Sequence, residues 1–252
     1  MKSQLLSGKI TVVVGGTSAI GMGIVRSLLE ENATVIVPSN SADEIAVLKD
    51  YLSVLHTGKL VSILTDIFDY DKVTDIAEDV FEEFGRIDLV VTAFENNFCD
   101  LPLTEIEITD WQKILDEKIT AHFVVGRVSL HLMKEQGGGV FVNVCDLDVT
   151  RFKPDSSLSK IAEEGQEKLS VIFSREVKPY NIRYYHLMVN NVVTRKKSSV
   201  LLGKQGRISP EMIGNHIVKL YHKQVENPDD LFQQFLGRQL SSSEGQLLQQ
   251  LL

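Results

Sequence analysis

A short β-branched run stands directly before a glycine-rich turn and an apolar helical pattern between residues 10 and 30. The run is ITVVV, and the turn that follows it is GGTSAIG. A strand, a glycine turn and a helix start in this order form an anion site, because backbone N–H groups and the helix dipole point at the bound group. The unit predicts the opening of an α/β fold, in which a buried strand is followed by its covering helix.

Similar β-branched runs alternate with longer helical patterns along the rest of the chain. The runs are apolar throughout, which is typical of strands buried on both faces. We therefore predict a doubly wound α/β fold, with a Rossmann-like parallel sheet of about seven strands and helices on both faces. The predicted strands lie near residues 10–14, 34–37, 60–64, 88–91, 139–144, 182–187 and 231–236.

The helical patterns include two long segments, 110–134 and 156–178, each of which could cross the whole sheet. Residues 190–209 are expected to form a loop or lid, and Pro210 is expected to begin a helix that ends near Val225. No repeat or linker interrupts the pattern. We predict one domain over residues 1–238 and a C-terminal tail over residues 239–252.

Charge and composition exclude several classes of function. The net charge is −8 and the isoelectric point is about 5.3, so nucleic acid is not an expected partner. No long apolar stretch resembles a signal peptide or a membrane helix, and we expect a cytoplasmic protein. Cys99 and Cys145 are expected to be reduced. His122, His131 and His186 are expected in the core or at an interface, because no pair has the spacing of a metal site.

Several motifs occur in the order typical of one family, from residue 6 to about residue 225. Together they resemble the short-chain dehydrogenase/reductase family. The resemblance rests on the opening LSGKITVVVGG, the glycine turn, the pair Asp66-Ile67, the segment EFGRIDLVV before strand four, the helix that starts at Trp111 and the segment Ser159-Lys160-Ile161-Ala162.

The resemblance implies a site for NAD or NADP and for a small-molecule substrate. Ala19 replaces a glycine of the turn, and its methyl group projects where a pyrophosphate needs close approach, so a turn kept only for packing is the alternative. Strand two ends in Ser39-Asn40 without an acidic or a basic residue, and both NAD and NADP stay open. The implied cofactor-binding residues are Gly15, Thr17, Ser18, Ala19, Ile20, Gly21, Ser39, Asn40, Asp66, Ile67, Thr92, Ala93, Lys160 and Thr194.

The catalytic positions depart most from the family. Lys118 stands where the family has an asparagine, Asp146 where it has a serine, and Ser156 where it has a tyrosine; only Lys160 is retained. The six tyrosines are at positions 51, 70, 180, 184, 185 and 221, and none is followed by a lysine four residues later. A serine hydroxyl is a far weaker acid than a phenol and reaches less far, so ordinary carbonyl reduction should be impaired.

Three functional hypotheses remain open. The chain is a nucleotide-binding or structural pseudoenzyme, an NAD(P)-dependent oxidoreductase with unconventional residues, or an isomerase or lyase that uses Asp146 and Lys160. A structural ion pair is the alternative for these last two residues. The resemblance also implies a homodimer or tetramer built on helices at 111–133 and 158–177. A locally basic stretch is either a solvated loop or a clamp for an anion, and it contains Arg195, Lys196, Lys197, Lys204 and Arg207.

Overall fold

The predicted parallel sheet is present in the structure, a computed structural model that describes residues 4–94, 101–146, 157–190, 192–193 and 207–236. Seven strands form one sheet in the order β3-β2-β1-β4-β5-β6-β7, and every neighbouring pair is parallel. The predicted fold class is confirmed. The strands are β1 (Ile10–Val14), β2 (Thr34–Ser39), β3 (Lys59–Leu64), β4 (Leu89–Thr92), β5 (Gly139–Asp146), β6 (Ile182–Asn190) and β7 (Phe232–Leu236).

Helices cover both faces of this sheet, because successive side chains along each buried strand are apolar on both sides. On one face, helices α1, α2 and α7 pack against Val13, Val91 and Val142 of the central strands. On the other, α3, α5 and α6 pack against Val90 and Phe141. The helices are α1 (Ala19–Glu30), α2 (Ala42–Leu52), α3 (Tyr70–Phe84), α4 (Ile108–Ile114), α5 (Ala121–Glu135), α6 (Ser157–Val177) and α7 (Pro210–Tyr221).

The long helix predicted over residues 110–134 is observed over residues 108–135, and its middle part is not α-helical. Helices α4 and α5 are joined by a π-helical segment, Leu115–Thr120, within a continuous helical run. A π-segment changes the local hydrogen-bond pattern and often occurs at functional sites. The predicted helix after Pro210 is also shorter than expected, because it ends at Tyr221 and Lys223 then adopts a left-handed backbone with φ of 56°.

Helices α1 and α7 approach each other closely behind the glycine turn. A Cβ atom added at Gly23 of α1 would lie 2.2 Å from Cβ of Pro210, and one added at Gly214 of α7 would lie 2.6 Å from Cβ of Ser27. Ser27 also donates a hydrogen bond of 2.8 Å to the backbone carbonyl of Glu211. This contact holds the first helix of the expected cofactor site against the far end of the chain.

Strand order reverses between β1 and β4, which are neighbours in the sheet although β2 and β3 come between them in sequence. In open α/β sheets, a ligand crevice lies at the carboxyl ends of the strands where such a reversal occurs. Of the predicted loop over residues 190–209, Asn190 belongs to β6, and the rest that the structure describes contains a short parallel bridge between Val192 and Ile208. The predicted tail, 239–252, lies outside the described residues.

Candidate nucleotide-binding and active site

The glycine turn packs tightly against the end of β4. Gly15 has a φ of +78°, and a Cβ atom there would lie 2.4 Å from the backbone oxygen of Ala93. A Cβ atom at Gly21 would lie 2.0 Å from the backbone oxygen of Gly15. Both positions therefore need glycine for the turn to close, whatever the turn binds.

Ser18 connects the turn to helix α1 and to the sheet. Its hydroxyl accepts a 2.9 Å hydrogen bond from the backbone N–H of Gly21, which caps the helix, and donates one of 3.2 Å to the carbonyl of Ala93. Thr17 points the other way and donates a 2.7 Å hydrogen bond to Oε2 of Glu44 on α2. Ala19 and Ile20 form the first turn of α1 and are only partly buried.

The two candidate residues at the end of β2 differ in exposure. Ser39 is buried, and its hydroxyl accepts a 3.3 Å hydrogen bond from the backbone N–H of Ser41. Asn40 is exposed. The Ser39 hydroxyl is thus used inside the turn that leads to α2, while the side chain of Asn40 faces the surroundings.

The candidate adenine residues lie just after β3. Asp66 is exposed, and its Oδ1 accepts a 3.0 Å hydrogen bond from the backbone N–H of Phe68. Ile67 is half-buried and lines a cavity of about 40 Å³ below the rim of the sheet. The cavity is apolar apart from two hydroxyl-bearing side chains, and it is lined by Val12, Val14, Pro38, Thr65, Ile67, Val73, Ile76, Ala77, Val80, Ile87, Val125 and Ser129.

A buried cation lies beyond the end of β4. Lys118 is 3% exposed, and its Nζ donates a 2.9 Å hydrogen bond to the carbonyl of Phe94. Lys118 belongs to the π-helical segment, and its own carbonyl accepts a 3.0 Å hydrogen bond from Nε2 of Gln166, a buried side chain on α6. The position predicted from the resemblance therefore lies at the sheet rim and is connected to both β4 and α6.

Lys160 lies on the first turns of α6, with a side chain 46% exposed and its Nζ 3.9 Å from Oε1 of Glu164. Asp146 is the last residue of β5 and is in register with Val189 of β6; its side chain lies outside the described residues. Ser156 and Thr194 lie outside them as well, as do Arg195, Lys196, Lys197, Lys204 and Cys99. Cys145 is buried, and its thiol forms no disulfide within the described residues.

All six tyrosines lie in the described part of the chain, and each phenol contacts another group. The phenol of Tyr184 contacts the imidazole of His122, and that of Tyr185 donates to the carbonyl of Pro228. Tyr180 is exposed and lies under the ammonium group of Lys134. The phenol of Tyr51 donates a hydrogen bond to Glu211, and that of Tyr221 donates one to Asp88. The phenol oxygen of Tyr70 accepts a hydrogen bond from Arg127.

A chain of buried polar side chains runs beneath the site, between the sheet and α5 and α6. Thr92 at the end of β4 donates a 2.7 Å hydrogen bond to Oδ1 of Asn143. The amide nitrogen of Asn143 lies 3.3 Å from Nδ1 of His186, and the hydroxyl of Ser170 lies 3.0 Å from the same nitrogen. Thr92 is thus tied to β5 and β6 rather than exposed at the rim.

The second half of this network of buried polar side chains reaches α5. The hydroxyl of Ser170 lies 3.5 Å from the phenol of Tyr184, which lies 2.8 Å from Nε2 of His122. Nδ1 of His122 has no hydrogen-bond partner among the described residues. Burial lowers the pKa of His122 to about 3, with the nearby His186 adding to the shift, and burial alone lowers the pKa of His186 to about 4. Burial also raises the pKa of Tyr184. These groups are therefore neutral at pH 7.

No cluster of three or more histidine, cysteine or carboxylate side chains that could hold a metal occurs in the described ranges. His122 and His186 are buried, as expected, whereas His131 is exposed and lies 3.5 Å from Glu135. No helix in the described part is long and apolar enough to cross a membrane.

Sequence reasoning missed two features of this site. The buried polar network joins residues far apart in sequence, and the sequence pattern predicted only where its histidines lie. The contact between Thr17 and Glu44 was also missed. The pattern Ser41-Ala42-Asp43-Glu44 is a helix-capping signal that marks the start of α2, but it does not indicate where the glutamate side chain points.

A glycine turn at the point where the strand order of a parallel sheet reverses is the arrangement of a doubly wound α/β protein with a ligand crevice at its sheet rim. A family model described as short chain dehydrogenase matches residues 9–201. The chain therefore belongs to the short-chain dehydrogenase family of oxidoreductases, as the resemblance indicated.

Individual relatives agree with this assignment. The chain is 29% identical over 187 residues to a 3alpha-hydroxysteroid dehydrogenase of Mediterraneibacter gnavus, covering 71% of this chain and 72% of that one. A metagenomic short-chain oxidoreductase in complex with NADP superimposes with a TM-score of 0.74 at 19% identity, covering 92% and 97% of the two chains. A 7 alpha-hydroxysteroid dehydrogenase complexed with NADH and 7-oxo glycochenodeoxycholic acid superimposes with a TM-score of 0.77 at 17% identity, covering 93% and 95%. The structural similarity shows the shared fold.

Proposed function

We propose that this protein binds an NAD-type dinucleotide without catalysing the family's ordinary carbonyl or alcohol hydride transfer at useful rates. The observation that carries the proposal is the placement of the six phenols: each one is engaged elsewhere in the fold, while Lys160 faces Glu164. The protein would then act as a nucleotide-responsive or structural member of an oxidoreductase family.

The glycine turn supports dinucleotide binding. Gly15 and Gly21 keep the backbone close to the end of β4, and the N-terminus of α1 faces the same rim. A helix N-terminus with this geometry favours the negative charge of a pyrophosphate. Ile67 follows β3 at the same rim, where the resemblance places the adenine, and the rim formed by Ala93 and Phe94 would flank the other half of the dinucleotide. When bound, such a cofactor supplies or accepts a hydride.

The proton-transfer side of the reaction lacks support. A general acid has to lie within about 2.6 to 3.2 Å of its target and needs a pKa near the working pH. Position 156 carries a serine, whose hydroxyl is far too weak an acid to replace a phenol. Tyr184 belongs to the core, with its ring stacked on Phe141 at a centroid distance of 4.8 Å, and burial raises its pKa further.

Thermal-shift titrations with NAD, NADH, NADP and NADPH test the binding half of the proposal. A ligand at 100 times its dissociation constant adds about 2.7 kcal/mol to the free energy of unfolding, so a clear rise in melting temperature is expected with at least one form. No shift with any of the four would refute dinucleotide binding. Turnover of simple ketones at ordinary enzymatic rates would refute the catalytic half.

Restoring the family's residues tests the reason for low activity. Ser156→Tyr alone should gain little, because positions 118 and 146 also differ from the family pattern. The triple variant Ser156→Tyr, Lys118→Asn and Asp146→Ser should gain much more, measured as reduction of a ketone panel with the cofactor that binds. A large gain from the single change would show that the other two substitutions do not matter.

The same family resemblance supports a homodimer or tetramer. Phe123 on α5 and Ile172 on α6 are 43% and 52% exposed, so the outer faces of these helices present apolar side chains. We expect light scattering to give a mass at least twice that of one chain. Phe123→Glu together with Ile172→Glu should lower that mass, whereas Met212→Glu, an exposed apolar position on α7, should leave it unchanged.

A further inference from the structure

A carboxylate from α2 lies beside the glycine turn, although β2 itself ends without an acidic residue. Oε2 of Glu44 accepts a 2.7 Å hydrogen bond from the hydroxyl of Thr17, and both side chains are accessible at the rim. Glu44 lies in the first turn of α2, which follows β2. The carboxylate therefore lies on the β2 side of the turn, the half of the crevice that holds the adenosine of a bound dinucleotide.

The local hydrogen bonds of α2 leave this carboxylate available. In a capping box, the glutamate at the third helical position reaches back to the backbone N–H of the capping serine. Here the N–H of Ser41 donates instead to the hydroxyl of Ser39, at 3.3 Å, while the hydroxyl of Ser41 accepts from the N–H of Glu44. The side chain of Glu44 extends to Thr17 as a result.

The other candidates at this end of the crevice are less suitable for a sugar diol. Ser39 is buried and its hydroxyl already serves the turn to α2. Asn40 is exposed but uncharged. Glu44 thus supplies an anionic acceptor next to the turn, although it lies several residues beyond the end of β2.

We propose that Glu44 binds the adenosine ribose diol and makes this protein select NAD(H) over NADP(H). The proposal rests on the dinucleotide binding proposed above. A carboxylate has about four acceptor positions, so Glu44 can keep the bond from Thr17 and still accept from ribose hydroxyls. The 2′-phosphate of NADP(H) would bring a second anion to the same place, which like-charge repulsion disfavours.

Calorimetric titration with NADH and with NADPH tests this selectivity without any activity measurement. The wild-type protein should bind NADH at least about tenfold more tightly, the effect of one charge-assisted hydrogen bond. Glu44→Gln keeps the size of the side chain and an oxygen for Thr17 but removes the charge. In this variant the binding of NADH should weaken and the binding of NADPH should strengthen, so that the preference for NADH falls below about threefold.

Asp43→Asn is the matched control, because it removes the same charge from the neighbouring exposed position of the same helical turn. It should leave the preference within about twofold of the wild type. If neither dinucleotide binds the wild-type protein, the proposed function itself fails. If NADH binds but the preference is absent, is unchanged in Glu44→Gln, or falls equally in Asp43→Asn, then dinucleotide binding stands and the role of Glu44 is refuted.

Discussion

The phenol oxygen of Tyr184 lies 2.8 Å from Nε2 of His122, and both side chains are buried. The two residues are 62 positions apart in sequence, on β6 and α5. Their contact is continued by Ser170 on α6 and by the aromatic rings of Phe141 and Phe173. This buried tyrosine thus has a structural partner, and removal of its phenol oxygen should affect stability.

Removing the phenol oxygen with Tyr184→Phe should lower the free energy of unfolding by about 1 to 3 kcal/mol, because His122 loses a buried hydrogen-bond partner. Urea denaturation measures this change. Tyr180→Phe, at an exposed position, should have no measurable effect. Any residual ketone reduction should be the same per folded molecule in both variants. A selective loss of turnover in Tyr184→Phe, with stability unchanged, would contradict the structural role.

Acid should destabilise the protein through its buried histidines. The pKa values of His122 and His186 are lowered to about 3 and about 4, below the value near 6.5 of an unfolded chain. The unfolded state therefore binds protons first as the pH falls. Stability from these groups is complete above about pH 6.5 and is lost as the pH drops toward their folded pKa values, by about 5 kcal/mol between pH 7 and pH 4.5.

Urea denaturation across this pH range checks the prediction in the wild type and in variants. His122→Gln and His186→Gln should each show a smaller loss on acidification, relative to their own stability at pH 7. His131→Gln is the control, because His131 is exposed and beside Glu135. Equal losses in all three variants and in the wild type would show that other groups control the acid transition.

Gly15→Ala should be far more costly than the same change at Gly8. Both glycines have φ near +70° to +80°, so alanine is strained at each by about 1 kcal/mol. At Gly15 the new methyl group would also lie 2.4 Å from the oxygen of Ala93, whereas the space at Gly8 is open. We expect losses of at least about 3 kcal/mol and of about 1 kcal/mol, respectively. Similar melting temperatures for the two variants would contradict the packing of the turn.

Asp88→Asn should destabilise the end of the sheet opposite the site, where β1 and β4 begin. The carboxylate of Asp88 is buried, accepts a 3.0 Å hydrogen bond from the N–H of Ile10 and pairs with Lys9 and Arg86. Replacing it by an amide should cost about 2 to 4 kcal/mol in chemical denaturation. Glu83→Gln breaks an exposed pair with Lys59 and should change stability by less than about 0.5 kcal/mol. If Asp88→Asn cost as little as Glu83→Gln, the buried ion pairs of Asp88 would not contribute to stability.

The strands and the glycine turn could be predicted closely because their causes are local. The β-branched run at residues 10–14 predicts β1, which the structure places at Ile10–Val14. Strand six extended three residues beyond its predicted end, to Asn190, because pairing with β7 continues there. The π-helical segment between α4 and α5 was not predicted, since the sequence does not show that the carbonyl of Lys118 in this segment accepts a hydrogen bond from Gln166 on α6.

The order of residue types along this chain determined its alternating elements, its turn chemistry and the absence of a tyrosine four residues before Lys160, since each depends on neighbours in sequence. Only the tertiary structure decided that Glu44 reaches Thr17, that Tyr184 meets His122 and that α1 packs on Pro210. These contacts join residues 27, 62 and 187 positions apart, Gly23 being the α1 residue in the last pair. Their partners are selected by the packing of helices on the sheet, and a one-dimensional pattern of polarity does not contain that information.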